Sequence, residues 1–154
     1  MPIDIRPDDL SGPEMAELIA IHAQTMLAAS PPESCHFLPI EGLRQPSVSV
    51  WSMWEDGALI GCGALKDLGG GQGEIKSMHT RSALRGRGLG RSMLEHILAE
   101  ARARKYTGLW LETGSMDAFL PARRLYEAYG FAYCGPFGDY AEDPNSLFMR
   151  LALA

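Results

Sequence analysis

The run Arg85-Gly86-Arg87-Gly88-Leu89-Gly90 brings three glycines and two arginines together at a spacing that suits phosphate binding. Glycines let backbone N–H groups approach an anionic ligand without a Cβ atom in the way. The residues from Arg91 to Lys105 carry apolar side chains at helical spacing, so the glycines stand at the start of a predicted helix. The dipole and unpaired N–H groups of a helix N-terminus favour an anion. The run therefore predicts a pyrophosphate site between a strand and a helix.

The spacing of these glycines differs from two common phosphate motifs. The dinucleotide fingerprint G-x-G-x-x-G, started at Gly86, would need a glycine where Arg91 stands. The Walker pattern fails as well, because the chain contains no Gly-Lys-Ser or Gly-Lys-Thr. The pattern that remains is Arg-x-x-Gly-x-Gly. It resembles the coenzyme A loop of the GNAT superfamily, the acyl-CoA-dependent N-acetyltransferases.

Further stretches carry the same resemblance. Leu125-Tyr126-Glu127 with Gly130-Phe131 is similar to the family's second signature, the helix and strand that flank the CoA thiol, and residues 73–80 take the place of its central strand. The runs at 30–34, 111–115 and 143–146 resemble a little-characterised bacterial branch. The resemblance implies acetyl-CoA as the cosubstrate. The implied cofactor-binding residues are Met78, His79, Thr80, Arg85, Gly86, Arg87, Gly88, Leu89 and Gly90.

Acetyl transfer to an amine needs a base and an acid. An alkyl amine is mostly ammonium near neutral pH, because its pKa resembles the ~10.4 of lysine, so a base must remove a proton. Glu74 lies 11 residues before Arg85, where several family members place a carboxylate base, which acts directly or through water. Tyr126 stands at the family's tyrosine position and is the predicted acid for the leaving thiolate. The resemblance also implies that backbone N–H groups near Met78 stabilise the oxyanion.

Each catalytic candidate also has a structural interpretation. Glu74 could be a solvated glutamate at a hairpin edge, and Tyr126 a core aromatic of the last helix. Glu112, inside an apolar strand, is a second carboxylate for proton removal or amine recognition, or else a buried and paired glutamate. Phe119 stands where many family members carry an asparagine that contacts CoA, so that contact is expected to be absent or supplied differently.

Cysteine and histidine residues offer weaker alternatives for the chemistry. His36 and His79 are candidate bases, although a lone histidine is more often structural. The adjacent pair Cys35-His36 suggests the thioester nucleophile of arylamine acetyltransferases, but neighbouring residues on an irregular loop rarely form such a pair. The order of elements also differs from that family. Because the four histidines and three cysteines show no ligand spacing, no metal and no disulfide framework is expected.

The acceptor is predicted from the irregular, proline-containing loop at 30–46, which this fold places at the substrate wall. A loop that closes the acceptor side favours a small-molecule amine over a protein amine. The alternative of another class is an acyl-CoA-binding sensor without turnover, and the presence of both Glu74 and Tyr126 argues against it. The resemblance leaves a homodimer open. Aromatic residues that could line the pocket, with core packing as the default, are Trp51, Trp54 and Tyr140.

Charge and hydropathy narrow the class of protein further. The net charge of −5 argues against general nucleic-acid binding. Eight of the 14 lysines and arginines fall between Lys76 and Lys105, which indicates a local anionic ligand. No apolar run approaches the ~18 residues that cross a bilayer, and the N-terminus lacks the pattern of a signal peptide. The sequence therefore predicts a cytoplasmic protein without a membrane partner.

The predicted element order is β-αα-βββ-α-β-α-ββ, which is also the order of the GNAT fold. We expect a single α/β (α+β) GNAT-like domain over residues 1–154, with a mixed, mostly antiparallel sheet of about seven strands and helices on both faces. Helix boundaries follow from apolar periodicity, caps and terminators. The predicted strands are 3–6, 48–55, 58–66, 74–81, 109–113, 131–134 and 146–153, and the main helices are 8–29, capped by Ser11 or Asp9, 91–105, and one capped by Asp117 and ended by Gly130.

Overall fold

The computed structural model describes residues 3–36, 38–84 and 86–153. Seven strands and four α-helices follow one another in the predicted order. No helix in these three ranges is long and apolar enough to cross a membrane. The elements are β1 (Asp4–Pro7), α1 (Pro13–Ala29), α2 (Ile40–Leu43), β2 (Val48–Glu55), β3 (Ala58–Gly69), β4 (Gln72–Thr80), α3 (Leu89–Ala103), β5 (Gly108–Gly114), α4 (Leu120–Ala128), β6 (Ala132–Cys134) and β7 (Ser146–Ala152).

All seven strands belong to one sheet, in the order β1-β2-β3-β4-β5-β7-β6. Every pairing is antiparallel except that between β4 and β5. These two parallel strands pair over three positions only, Gln72–Glu74 against Gly108–Trp110. Both strands continue beyond that point, so they diverge and leave a gap in the middle of the sheet. The mostly antiparallel seven-stranded sheet confirms the predicted fold class.

Helices cover both faces of the sheet, as predicted. Helix α3 buries Met93, Leu94 and Ile97 against one face, where their side chains join apolar residues of β2 to β5. Helices α1 and α2 cover the other face. The side chains that pack there are Met15, Leu18, Ile19 and Leu43 from the helices and Val50, Leu59, Cys62 and Ala64 from β2 and β3.

A β-bulge interrupts β4 beside the gap. Between the pairs Ala64–Lys76 and Cys62–His79, one residue of β3 faces two residues of β4, and Ser77 has a φ of 56°. An extra residue reverses the alternation of side chains along a strand. His79 therefore shares the α1 face with Lys76, whereas an unbroken strand would place His79 on the α3 face. The bulge decides which side chains face the gap.

The start of α1 differs from the prediction. Neither Ser11 nor Asp9 caps the helix, which begins at Pro13 with Gly12 as the residue before it. The Asp8 and Asp9 carboxylates instead accept hydrogen bonds from the N–H groups of Leu10 and Ser11, at 2.8 and 3.0 Å. Such local turns compete with helix, and proline is well suited to the first helical position.

Other boundaries shift by smaller amounts. Asp117 begins a short 3₁₀ turn rather than capping the last helix, and α4 starts at Leu120. Strand β3 runs to Gly69, three residues beyond its predicted end. Gly130 ends α4 with a φ of 94°, as predicted, because glycine adopts this left-handed conformation without strain.

Replacement of Gly63 by alanine should destabilise the protein by about 1–3 kcal/mol, which is typical of overpacking in a core. A Cβ atom at this position of β3 would lie 2.7 Å from Cγ of Met93 and 3.0 Å from Cδ1 of Ile97. Urea unfolding of Gly63→Ala measures the loss. The matched control is Gly135→Ala, whose new methyl group meets open space. Equal stabilities of the two variants would contradict this account of how α3 packs.

Candidate active site

A cavity of about 540 Å³, here called the larger cavity, opens between the end of β4 and the N-terminal ends of α3 and α4. Most of the residues expected to bind acetyl-CoA line it, although they come from separate stretches of the chain. Tyr126 of α4 lines the same space. The expected cofactor-binding residues found there are Met78, His79, Thr80, Gly86, Gly88, Leu89 and Gly90.

The glycine-rich turn enters α3 through two left-handed residues. Gly86 has a φ of 88° and Gly88, the residue before the helix, a φ of 78°. Residues with a Cβ atom rarely adopt these angles, so the turn needs glycine at both positions. Leu89 is buried in the core and fixes the first turn of a 15-residue helix. This helix N-terminus at the cavity wall is suited to an anion.

The structure describes one of the two arginines of the turn. Arg85 lies outside the described residues. Arg87 does not line the larger cavity, because its guanidinium forms a two-point ion pair with the Glu55 carboxylate at 3.0 and 2.7 Å. The hydrogen bonds from Arg87 lower the pKa of Glu55 below its usual value. A phosphate contact by Arg87 would therefore require its release from Glu55.

A second cavity of about 110 Å³, here called the smaller cavity, lies in the gap between β4 and β5. Its charged lining residues are Glu74, Lys76 and Glu112, and His36 also borders it. The two cavities share part of their walls, so the gap connects a polar space with the larger one. The shared lining residues are His22, Met26, Met78, Phe119, Ala122 and Tyr126.

Glu74 is buried at the floor of this gap rather than solvated at a hairpin edge. Only 3% of the residue is exposed. Its Oε2 atom accepts hydrogen bonds from Lys76 Nζ at 3.0 Å and from the Tyr140 hydroxyl at 2.6 Å. Lys76 Nζ also donates to the Tyr140 hydroxyl oxygen at 2.8 Å and to the His36 carbonyl at 3.4 Å. The Glu74 carboxylate is therefore fixed in a closed network.

Glu112 borders the same cavity as Glu74 but differs from Glu74 in its partners. It forms no ion pair with any residue in the described ranges. Burial raises the pKa of Glu112 to about 7, and the hydrogen bond with the Ser146 hydroxyl and the nearby Lys76 charge only partly oppose that shift. A carboxyl group with a pKa near neutrality exchanges protons readily at physiological pH.

Tyr126 stands where the two cavities meet. Its ring packs edge-to-face on Phe131, with 5.6 Å between centroids, and 6% of the residue is exposed. Burial raises the pKa of Tyr126 well above 10, so the hydroxyl stays protonated and can donate. The residue combines core packing with access to the cavities. Phe119, at the position of the family's asparagine, lines both cavities beside it.

Sequence reasoning missed the contact between His22 and His79. The Nδ1 atoms of the two rings lie 3.1 Å apart, which is a hydrogen bond when one of them carries the proton. Burial lowers the pKa of His22 to about 4, so this ring is neutral near pH 7. The apolar face of α1 places His22 toward the sheet, but only the bulge at Ser77 brings His79 to meet it.

Two loops meet near His36, which lines the smaller cavity. The Ser34 hydroxyl donates to Asp143 Oδ2 at 2.7 Å, and Asn145 Nδ2 donates to Ser34 Oγ at 3.3 Å. We call this Ser34–Asp143–Asn145 contact the loop clasp. The clasp joins the predicted acceptor loop to the segment that carries Tyr140. Tyr140 covers Glu74 through its hydrogen bond and lines neither cavity.

The remaining candidates lie away from the cavities or lack the chemistry. Trp51 is buried in the core, and Trp54 donates its indole N–H to Ser52 Oγ at 2.8 Å. Neither tryptophan lines either cavity. Burial raises the pKa of the Cys35 thiol, which disfavours a thiolate nucleophile. Within the described ranges, no group of three or more histidine, cysteine or acidic residues could hold a metal ion.

Comparison with known proteins agrees with this geometry. The family model for the acetyltransferase (GNAT) family matches residues 15–131. The chain belongs to the GNAT family. An uncharacterised N-acetyltransferase of Bacillus subtilis strain 168 is 52% identical over 149 residues, covering 97% of this chain and 99% of that protein. This GNAT chain is accordingly an N-acetyltransferase.

Two further relatives extend the comparison. An IAA acetyltransferase of Azospirillum brasilense is 44% identical over 124 residues, 80% of each chain. The crystal structure of a proposed acyl-CoA N-acyltransferase from Klebsiella pneumoniae has a TM-score of 0.80 and 28% identity, covering 99% of this chain and 98% of that one. The similarity therefore extends over nearly the whole chain in both sequence and fold.

The His22 ring should remain neutral well below the pH at which an ordinary histidine becomes charged. NMR titration of the imidazole C–H signals, with His22→Gln to assign the resonance, should give a midpoint near 4. Between pH 6.5 and about 4 the unfolded chain binds a proton that the folded chain does not, so this group lowers stability as the pH falls. A midpoint near 6.5 would mean that the ring is solvated.

Proposed function

We propose that this N-acetyltransferase moves the acetyl group of acetyl-CoA to a primary amine of a small molecule, by direct attack within a ternary complex. The observation that carries the proposal is the meeting of the two cavities at Tyr126. One cavity has the anion-binding geometry that coenzyme A requires, and the other has carboxylates that attract an ammonium ion. The acetyl group would pass between them through the gap between β4 and β5.

Acetyl-CoA would occupy the larger cavity. Its pyrophosphate would lie against the turn at 86–90 and the N-terminus of α3, where backbone N–H groups and the helix dipole stabilise negative charge. Its pantetheine arm would extend past Met78 and Thr80 toward Tyr126. The volume of about 540 Å³ falls within the range of small-molecule and cofactor sites.

The acceptor amine would occupy the smaller cavity. A volume of about 110 Å³ and the loop clasp leave room for a compact molecule rather than a folded protein surface. Glu74 and Glu112 contribute two carboxylates against the single charge of Lys76, which favours a cationic acceptor. One relative is named an IAA acetyltransferase. That name does not identify the acceptor of this chain, which must be measured.

The proposed reaction assigns one role to each group at the meeting point. The amine lone pair forms the C–N bond while the carbonyl electrons move to oxygen, and backbone N–H groups near Met78 stabilise the oxyanion. Glu74 takes a proton from the attacking nitrogen, directly or through water. When the C–S bond breaks, the thiolate of CoA takes a proton from the Tyr126 hydroxyl.

A mass-spectrometric screen tests the proposed function. The protein is incubated with acetyl-CoA and a panel of amino acids, polyamines, aminoglycosides, arylamines and peptides, with Glu74→Gln beside it. We expect an acetylated small amine from the unaltered protein and a large loss with the variant. If acetyl-CoA binds but no compound is acetylated, the result favours an acyl-CoA sensor or an acceptor outside the panel. Acetylation confined to peptides would move the acceptor to a protein.

Removal of the Tyr126 hydroxyl should lower turnover and leave acetyl-CoA binding nearly unchanged. A general acid typically contributes about 10²–10⁴-fold, so we expect Tyr126→Phe to lower kcat by about 10²-fold. Steady-state kinetics and calorimetric acetyl-CoA binding separate the two effects. The matched control is Tyr133→Phe, because Tyr133 is exposed on β6. Full activity of Tyr126→Phe would exclude the phenol as the acid.

Release of Arg87 from Glu55 should tighten acetyl-CoA binding if Arg87 binds a phosphate. Exposed ion pairs contribute about 0.2–1 kcal/mol, so Glu55→Gln should lower the Kd by up to about fivefold. Arg87→Ala should instead raise the Kd by about tenfold or more, through loss of a charge-assisted contact. Calorimetry on both variants measures these changes. Weaker binding by Glu55→Gln would mean that the ion pair holds the turn in place.

A further inference from the structure

We propose that the acceptor is an aliphatic amine with no carboxylate next to its amino group, and that Glu112 binds its ammonium ion. This inference rests on the proposed function and names the substrate class of the same site. It follows from which polar groups of the smaller cavity already have partners and which are free to contact a ligand.

Lys76 cannot bind a substrate carboxylate without breaking the network beneath the cavity. A lysine ammonium group has three N–H donors. All three are used, by Glu74 Oε2 at 3.0 Å, the Tyr140 hydroxyl at 2.8 Å and the His36 carbonyl at 3.4 Å. Among the side chains that the structure describes, Lys76 is the one lysine or arginine that lines this cavity.

The two histidines of the smaller cavity do not replace this missing cation. His22 is held neutral by burial, which lowers its pKa to about 4. The His36 ring packs edge-to-face on Tyr140, with 5.1 Å between centroids. The pKa of Asp143 is held below its usual range by hydrogen bonds from the Ser34 hydroxyl and the Asn145 N–H, and by the nearby His36 ring. A charge on His36 would therefore already face the Asp143 carboxylate.

Glu112 is the carboxylate that remains for a ligand. It projects from β5 into the same cavity, opposite the saturated pair on β4, and has no ion-pair partner in the described part of the chain. The Ser146 hydroxyl, which hydrogen-bonds to it, uses one acceptor position of a carboxylate that has about four. The charged groups around it are Lys76, Glu74 and Asp143, with one positive charge against two negative. An ammonium ion beside Glu112 would balance this excess, as a buried carboxylate requires.

Ser77 supplies a second group without a partner. Ser77 lines the smaller cavity at the β-bulge, and its buried hydroxyl oxygen forms no hydrogen bond to any residue that the structure describes. Buried hydroxyls in folded proteins nearly always have partners, so this one indicates a position that a ligand fills. A hydroxyl can accept a hydrogen bond from an ammonium N–H, as Glu112 can. The two groups together suit a cationic nitrogen.

The same arrangement disfavours α-amino acids. Their carboxylate is two bonds from the amino group, so it would enter a cavity that already holds Glu74 and Glu112. Among the described side chains, this cavity has no free lysine or arginine to balance the added charge. A buried charge without a partner is strongly unfavourable. An uncharged group of the same size would not suffer this repulsion. The site should therefore distinguish charge rather than shape beside the amine.

Two carboxylates also match the two protons that the amine loses. An ammonium ion must release one proton before its lone pair can attack, and the nitrogen releases a second after the C–N bond has formed. Glu112 would take the first proton, and Glu74, which is paired with Lys76, would take the second from the far more acidic tetrahedral intermediate. Tyr126 protonates the thiolate, so one proton is released to solvent overall.

The test compares three compounds that differ only beside the amine: leucine, leucinamide and isoamylamine. Leucinamide has the size of leucine without the negative charge. With acetyl-CoA fixed, kcat/KM for isoamylamine and for leucinamide should exceed that for leucine by at least tenfold. The triplet phenylalanine, phenylalaninamide and phenethylamine repeats the comparison with a larger side chain. Equal or faster acetylation of the amino acids would overturn the inference while the proposed function stands.

The variant Glu112→Gln tests the residue. We expect KM for isoamylamine to rise at least tenfold, the Kd for acetyl-CoA to stay within twofold, and the rise of kcat/KM with pH near 7 to disappear. A structural role alone would not remove that pH dependence. The matched control is Glu33→Gln, an exposed residue outside both cavities. An unchanged KM and pH profile would exclude Glu112. No product from any of the six compounds or from the wider amine panel, with acetyl-CoA bound, would contradict the proposed function itself.

Discussion

The divergence of β4 and β5 is the constraint on which the rest of the structure depends. Two parallel strands that pair over only three positions leave backbone and side chains in the middle of the sheet without their usual neighbours. The bulge at Ser77 lies beside this opening and decides which β4 side chains face α1 and which face α3. Both cavities lie along it. A defect in sheet pairing thus creates the space for chemistry within an otherwise continuous core.

Packing on either side of this opening separates two electrostatic environments. Toward α3, the glycine turn and the helix N-terminus present N–H groups and a positive dipole end. Toward α1 and the loop clasp, Glu74, Lys76 and Glu112 lie in a confined space, where burial raises the pKa of Glu112. Tyr126 stands between the two, kept protonated by burial. The protein therefore holds an anion-attracting and a cation-attracting surface within one contiguous gap.

Local sequence patterns predicted the fold well and the site in part. Apolar periodicity identified α3 and the order of elements along the chain, and most residues of the glycine turn, together with Tyr126, line the larger cavity. The contacts that determine side-chain states were not predictable in this way. Tyr140 meets Glu74 across 66 positions of sequence, and Arg87 meets Glu55 across 32. Such partners depend on strand register and loop closure, which no local periodicity encodes.

The loop clasp has an evolutionary consequence. Ser34 and Asp143 are separated by 109 positions, yet they join two loops beside the smaller cavity, and neither residue lines the larger cavity. Insertions or substitutions in either loop can reshape the acceptor space while the coenzyme side stays intact. A lineage built on this scaffold can therefore diversify its acceptors one loop at a time. Each new specificity would keep the same acyl donor.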